Sequence, residues 1–408
     1  MRARFLLLSV AVALGATALP LTEAHAAPPP DSPSYAHHAV CAPGAAGTAR
    51  CHADVRVNGK GAPLATTSPA GSAYTPSDLR GAYNLGTGTP PNAQTVAIVD
   101  AYDNPNAESD LAAYRSFYGL RDCTTANGCF RKIDQRGTTI TATTHPTPDV
   151  GWGQEIALDL DMASAICPGC NILLVEADSS AFTNLAAGVD RAVLSGATVV
   201  SNSYGGPEFS GEATATYNGH YNHPGVAVTV STGDSGYGVE FPASSQYVTA
   251  VGGTSLNWDR ATHSRVSETA WSGAGSGCSA YIARPAWQSA VGTCGRRMVA
   301  DVSAVADPNT GVTVYDSYGS SGGANWYVFG GTSVAAPIVA SVYALAGNAS
   351  SIAVGSVYSA TTGLFDITSG SNGRCTTKRS SANKALCTAV AGWDGPTGRG
   401  TPNGLSAF

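Results

Sequence analysis

Glu155 and Asp159 stand four residues apart in the run Glu155-Ile-Ala-Leu-Asp159, and Ser333 lies within Gly330-Gly331-Thr332-Ser333-Val334-Ala335-Ala336-Pro337. On a helix, positions four apart differ by only about 40° around the axis, so the two carboxyls can share a proton or a hydrogen bond. Asp161 points well away from them and reads as a solvated charge. A close carboxyl pair cannot hold two full charges cheaply, so one pKa rises. Such a pair offers a base that is still partly ionised at low pH, where an imidazole is already protonated. Ser333 sits at a glycine-loosened junction that runs into a helix of small residues. Backbone N–H groups and the helix dipole favour developing negative charge there. A serine nucleophile needs a base and an orienting partner, and the eight histidines (25, 37, 38, 52, 145, 220, 223 and 263) all lie outside helical, small-residue contexts. Glu155 with Asp159 is the substitute, and the combination points to peptide hydrolysis in acid. The plainer readings are a polar helix face for the carboxylates and an N-cap for the serine.

Gly-Gly-Thr-Ser also occurs at Gly252 to Ser255, where it follows a strand and reads as an ordinary turn. Ser231-Thr232-Gly233-Asp234-Ser235-Gly236 follows a buried strand, and Asp234 rather than Ser235 is the residue of interest. A carboxylic acid kept protonated can donate a hydrogen bond to an oxyanion. Near the C-terminus, Phe365-Asp366-Ile367 through Gly373 and Ala389-Val390-Ala391-Gly392-Trp393-Asp394 offer two carboxylates with glycine-rich loops. That is the oxygen-rich ligand set calcium prefers, although each loop alone is most often a turn.

These residues need a frame. Thr95 to Tyr102, Asn171 to Ala177, Ala197 to Ser201, Gly225 to Ser231 and Tyr247 to Val251 read as apolar strands. Ser109 to Tyr118, Glu155 to Ile166 and Thr183 to Ser195 read as helices. The alternation implies an α/β domain, residues 74–408, with a mostly parallel central sheet covered by helices on both faces. Sites in such sheets lie at the carboxyl ends of strands. Residues 27–73 are rich in Pro, Ala, Gly, Ser and Thr and read as a short leader, prosegment-like, without a core of its own.

Residues 1–26 read as a secretion signal. Arg2 and Arg4 form the positive start, Phe5 to Leu19 is apolar, and Ala24-His25-Ala26 is the cleavage site. The apolar run is too short to span a bilayer, and Val334 to Gly347 is interrupted by Pro337, so no membrane anchor is expected. Loss of the signal moves the formal charge from −6 to −7. With charged residues at only 12%, the weakly acidic surface argues against a nucleic-acid partner. Ten cysteines in an exported chain read as disulfides. The least demanding pairing is sequential: Cys41–Cys51, Cys123–Cys129, Cys167–Cys170, Cys278–Cys294 and Cys375–Cys387. Cys167-Pro168-Gly169-Cys170 could also be a redox pair, but no second CxxC completes a zinc set.

Taken together, from Tyr74-Thr75-Pro76 to the C-terminus, the chain resembles the sedolisin family of serine-carboxyl peptidases, relatives of subtilisin by fold. The resemblance implies Ser333 as nucleophile, Glu155 as general base, Asp159 as its hydrogen-bonded supporter and Asp234 in the oxyanion hole. It implies one structural calcium held by the side chains of Asp366 and Asp394 and backbone oxygens of Ile367, Val390 and Gly392. Ser203-Tyr204-Gly205-Gly206 resembles the family's substrate-binding strand edge. The implied protein is a secreted, extracellular, monomeric endopeptidase acting on peptides and proteins. Three features depart from the family pattern: a short leader, Gly330 where serine is commoner, and Val390 in place of a glycine. The neighbouring readings are a subtilisin-type peptidase, with Asp100 at the end of the first strand, and a catalytically silent binding protein on the same fold. No His-Gly-x-His segment supports the first, so Asp100 reads as a structural strand end.

Overall fold

The strand–helix alternation expected from Thr95 onward is realised as a sheet of eight strands. A computed structural model of the chain describes residues 34–292, 294–320, 323–351, 354–375 and 384–408; the secretion-signal reading of residues 1–26 lies outside them. In chain order the elements begin with β1 (His37–Ala39), β2 (Arg50–Cys51), β3 (Asp54–Arg56), α1 (Pro76–Ala82), β4 (Thr95–Ala101) and α2 (Ala107–Phe117). Next come β5 (Phe130–Asp134), α3 (Val150–Ile166), β6 (Asn171–Ala177), α4 (Phe182–Leu194), β7 (Val199–Asn202), β8 (Tyr204–Pro207) and β9 (Ala227–Ser231). The remainder includes β10 (Glu240–Phe241), β11 (Thr249–Asp259), β12 (Ser264–Ala270), β13 (Gly277–Ala283), β14 (Arg296–Val299), β15 (Val302–Val305), β16 (Val312–Tyr315), β17 (Trp326–Gly330) and α5 (Thr332–Ala346).

The central sheet runs β12-β11-β9-β7-β4-β6-β5, with β15 also beside β11. Its pairs are parallel except β11 with β12. Side chains alternate across the strands. Val96 and Ile98 enter one core with α3 and α5, whereas Ala97 and Val99 enter a second with Phe182, Leu185 and Val189 of α4. Helices therefore cover both faces, which is why these strands are apolar throughout.

Helix α3 starts earlier than the expected Glu155, because Asp149 caps it by accepting the Trp152 N–H at 2.9 Å. It packs against α1, α2 and α5 as well as β4, and every residue from Trp152 to Ile166 is buried. A helix enclosed on all sides has no solvated face. Asp161 is accordingly not the solvated charge expected; it is buried and accepts the Tyr315 N–H at 2.9 Å. The Gly252–Ser255 turn is also corrected, since these residues continue strand β11. Gly252 is where the strand meets another backbone, and a Cβ there would fall 2.2 Å from the Pro396 carbonyl oxygen.

Helix α5 runs through Pro337 without a break. Proline has no N–H to give the Ser333 carbonyl four residues earlier, and the Ser203 hydroxyl approaches that carbonyl at 3.5 Å. All five sequential disulfides are present. Among the described residues no helix is long and apolar enough to cross a membrane. The described part of the leader is built into the body: β3 pairs with β17, Asp54 opposite Gly330, and β2 pairs with β8, Arg50 opposite Gly205 and Cys51 opposite Tyr204.

Candidate active site

Three parallel strands deliver their carboxyl ends to one place, the edge where such sheets keep their sites. Strand β4 ends next to Asp100, Ser203 follows β7, and the loop after β9 carries Asp234. Helix α3 brings Glu155 and Asp159 from one side, and the first turn of α5 brings Ser333. Asp100, Glu155, Asp159 and Ser333 are all 0% exposed.

Burial is the main reason that Glu155 and Asp159 both sit well above the ordinary carboxylate range. For Glu155 the charges of Asp159 and Asp100 add to it, and the adjacent Ser333 hydroxyl offsets part. For Asp159 the charge of Asp100 adds, while the Ser203 hydrogen bond and the neighbouring Glu155 carboxyl offset part. The Ser203 hydroxyl donates to Asp159 Oδ1 at 2.9 Å. The Ser333 hydroxyl donates to the Ser203 carbonyl at 3.2 Å, and neither Glu155 oxygen meets a described donor in hydrogen-bond geometry. Turning the Ser333 hydroxyl from Ser203 toward Glu155 is the adjustment that base catalysis requires; such bonds often tighten only with substrate in place.

Asp100 lies at the end of β4, as expected, and is buried near the Glu155–Asp159 pair. Burial pushes it up to about 8, and its charge acts on both Glu155 and Asp159. In sequence Ser203 belongs only to the strand edge that the family resemblance implies; its link to Asp159 has no local signal. His52 is buried beside the site, but its ring nitrogens meet Ser231 and Glu240 rather than Ser333.

Asp234 Oδ1 accepts both the Thr332 N–H and the Thr332 hydroxyl, each at 2.7 Å. Burial first, then the charge of Asp54, pushes Asp234 up to about 7 against the opposing pull of His52 and Thr332. Gly331 has φ +95°, and a Cβ there would lie 2.0 Å from the His52 carbonyl oxygen and 2.6 Å from Asp234 Oδ2. Only glycine fits. The Ser333 N–H donates to that same His52 carbonyl at 3.1 Å. A carbonyl oxygen is thus held at a helix N-terminus beside a carboxyl inclined to stay protonated, an arrangement able to stabilise an oxyanion.

A second cluster is formed by the C-terminal loops that carry Asp366 and Asp394. Gly392 N–H donates to Asp366 Oδ2 at 2.9 Å and Val390 N–H to Asp394 Oδ2 at 3.1 Å. Asp394 is fully buried, and burial, with the Asp366 charge contributing, pushes it up to about 7. The carbonyls of Ile367, Val390 and Gly392 accept no hydrogen bond from a described residue. Among the described residues no three His, Cys, Asp or Glu side chains gather to hold a metal, so a cation here would depend on those carbonyl oxygens. The donor set is hard oxygen throughout and fits calcium.

A model of the subtilase family matches residues 135–362. Kumamolisin from Bacillus sp. (strain MN-32) is 31% identical over 378 residues, covering 83% of this chain and 63% of that protein. Sedolisin from Pseudomonas sp. (strain 101) is 34% identical over 210 residues, 43% of this chain and 33% of that protein. The chain thus spans less than two thirds of the length of either relative. The solved structure of Pseudomonas sedolisin, a serine-carboxyl proteinase complexed with two molecules of pseudo-iodotyrostatin, superposes with a TM-score of 0.68 at 26% identity. That match covers 83% of this chain and 96% of the other.

Proposed function

This chain belongs to the sedolisin family of subtilisin-like peptidases, and on that premise we propose that it is a secreted, acid-active endopeptidase working through Ser333. The observation that carries the proposal is a serine at a helix N-terminus beside a buried Glu155–Asp159 pair, with no imidazole on its hydroxyl. Ser333 Oγ adds to the scissile carbonyl while its proton passes to Glu155, and Asp159 holds the pair by sharing the remaining proton. The Ser333 N–H and the protonated Asp234 receive the oxyanion. Collapse expels the amine with the proton held on Glu155, and water then releases the acyl group by the reverse transfers. Five disulfides support export.

The test is digestion of an acid-denatured protein across about pH 3–7, from the ordinary carboxylate range up into the range toward which burial moves Glu155. The full chain should release peptides, and the Ser333→Ala chain none. Absence of peptides from both, with folded protein in each tube, would replace the peptidase by a silent binding protein.

Calcium belongs to the same proposal. Asp366 and Asp394, with the carbonyls of Ile367, Val390 and Gly392, would hold it, and when bound it would neutralise the carboxylate pair and tie two C-terminal loops together. An ion bound only by the native state stabilises it. Excess chelator should therefore lower Tm by roughly 3–5 °C, with a smaller response in Asp394→Asn. An unchanged melting curve would remove the ion from the account.

A further inference from the structure

One buried hydroxyl reaches both halves of the site. Ser203 lies between β7 and β8 and is fully buried. Side chains alternate along extended backbone. Val200 and Tyr204 enter the core shared with α4, whereas Val199 enters the core shared with α3 and α5. Ser201 and Ser203 fall on the Val199 side. The Ser201 hydroxyl is buried without a partner among the described residues. The Ser203 hydroxyl instead donates to Asp159 Oδ1 of α3 at 2.9 Å and lies 3.5 Å from the Ser333 carbonyl of α5. A core serine needs no such pair of contacts, as Ser201 two residues earlier shows.

Both acceptors are short of donors. Asp159 Oδ2 is buried and unpartnered among the described residues, so the Ser203 contact at Oδ1 fixes the turn of this carboxyl. With Oδ1 held, Oδ2 is the oxygen left for Glu155, one helical turn away. The Ser333 carbonyl lacks the usual helical N–H because residue 337 is proline. A hydroxyl has one hydrogen. It goes to the carboxyl, the shorter contact, and the Ser333 carbonyl is its alternative acceptor. The backbone of the same residue meets the nucleophile, since the Ser203 carbonyl accepts the Ser333 hydroxyl at 3.2 Å. One strand end therefore spaces the nucleophile from the carboxyl pair.

We infer that Ser203 is a positioning residue for the proton transfer: its hydroxyl fixes Asp159 so that Oδ2 faces Glu155, while its carbonyl holds the Ser333 hydroxyl beside Glu155. The inference deepens the peptidase reading above and rests on it. The Ser203 side chain takes no part in bond making and acts through Asp159. The carboxyls that bear on Asp159 are Asp100 from β4 and Glu155 from its own helix, and those that bear on Glu155 also include Asp234. Burial first, then the Asp100 charge, push the Asp159 carboxyl upward, and the Ser203 hydroxyl pulls it back. Without that donor the carboxyl pair should ionise only at higher pH.

Ser203→Ala removes the hydroxyl and keeps the carbonyl, so it isolates the side chain. In steady-state kinetics on an added peptide it should lower kcat roughly 10–100-fold, the worth of one hydrogen bond to a charged group. KM should stay within about twofold of the parent, because contacts made by the carbonyl remain. The acidic limb of the kcat–pH profile should move up by roughly one pH unit, and Ser203→Thr, which retains a hydroxyl, should bring it back. In an Asp159→Ala background, where the acceptor is gone, Ser203→Ala should cost less than about a further twofold. Should the alanine variant not fold, Ser203→Cys, with similar shape and a weaker donor, is read by the same shift of the limb. Parental kcat and an unmoved limb in Ser203→Ala overturn the inference and leave the peptidase reading intact. Losses that multiply in the double variant, or a loss confined to KM, overturn action through Asp159. A lowered kcat that only follows a fall in Tm, with the limb unmoved, assigns Ser203 to the core and overturns its positioning role. A Ser203→Thr limb left where alanine puts it overturns the role of the donor. A folded parent that cuts no peptide overturns both readings.

Discussion

Replacing Glu155 with alanine should lower kcat on a peptide substrate by about 10⁴-fold or more, with the protein still folded by circular dichroism. The scale is that of removing one member of a serine–base unit in subtilisin-type enzymes. Ser333→Ala should fall as far, and the double variant little further, because nucleophile and base act in a single proton transfer and their effects do not add. The expectation follows from the burial of Glu155 beside the Ser333 hydroxyl and from His52 being engaged with Ser231 and Glu240. Asp159→Ala should also be strongly impaired, since in the proposed mechanism it shares the Glu155 proton. Steady-state kinetics on the folded enzyme decide the matter. Ordinary activity in Glu155→Ala, with loss in a histidine variant, would return the base to an imidazole.

Asp234 gives the second large effect, and it has a sign in pH. With its pKa at about 7, the Asp234 carboxyl is protonated below neutrality and can donate to the oxyanion; above that it becomes an anion facing developing negative charge. The rate should therefore fall as pH rises through about 7, while the acidic limb belongs to the Glu155–Asp159–Asp100 group. Asp234→Ala should cost about 10²–10³-fold in kcat, the usual penalty for one oxyanion donor. Asp234→Asn should be the more informative variant, since an amide donates at every pH. It should retain the acidic limb and lose the fall near neutrality. A kcat–pH profile for Asp234→Asn with the same alkaline fall as the parent would take Asp234 out of the oxyanion hole.

The same contrast explains which features could be read from residue order. The strands were legible because a buried parallel strand is an apolar run, and β4, β6, β7 and β9 each lie within a residue or two of the expected bounds. The Glu155–Asp159 pair was legible because helical spacing is local. Gly252–Ser255 misled because glycine, threonine and serine are turn formers by composition, whereas a close-packed Pro396 carbonyl keeps them in a strand. Asp161 misled because periodicity gives a direction around the helix axis and not what lies in that direction.

Residue order by itself determined the inventory: two carboxyls one helical turn apart, a serine at a helix start, cysteines spaced for short loops, and the strand–helix rhythm of an α/β domain. Each depends on contacts within a few residues along the chain. The tertiary structure alone decided that Asp100, Ser203 and Asp234 converge on Ser333, since three separate strand ends must first be laid side by side. It alone set the carboxyl pKa values, because desolvation depends on what the whole fold packs around a group. It also laid residues 50–56 across the site, a pairing between segments more than 150 residues apart that no local period can encode.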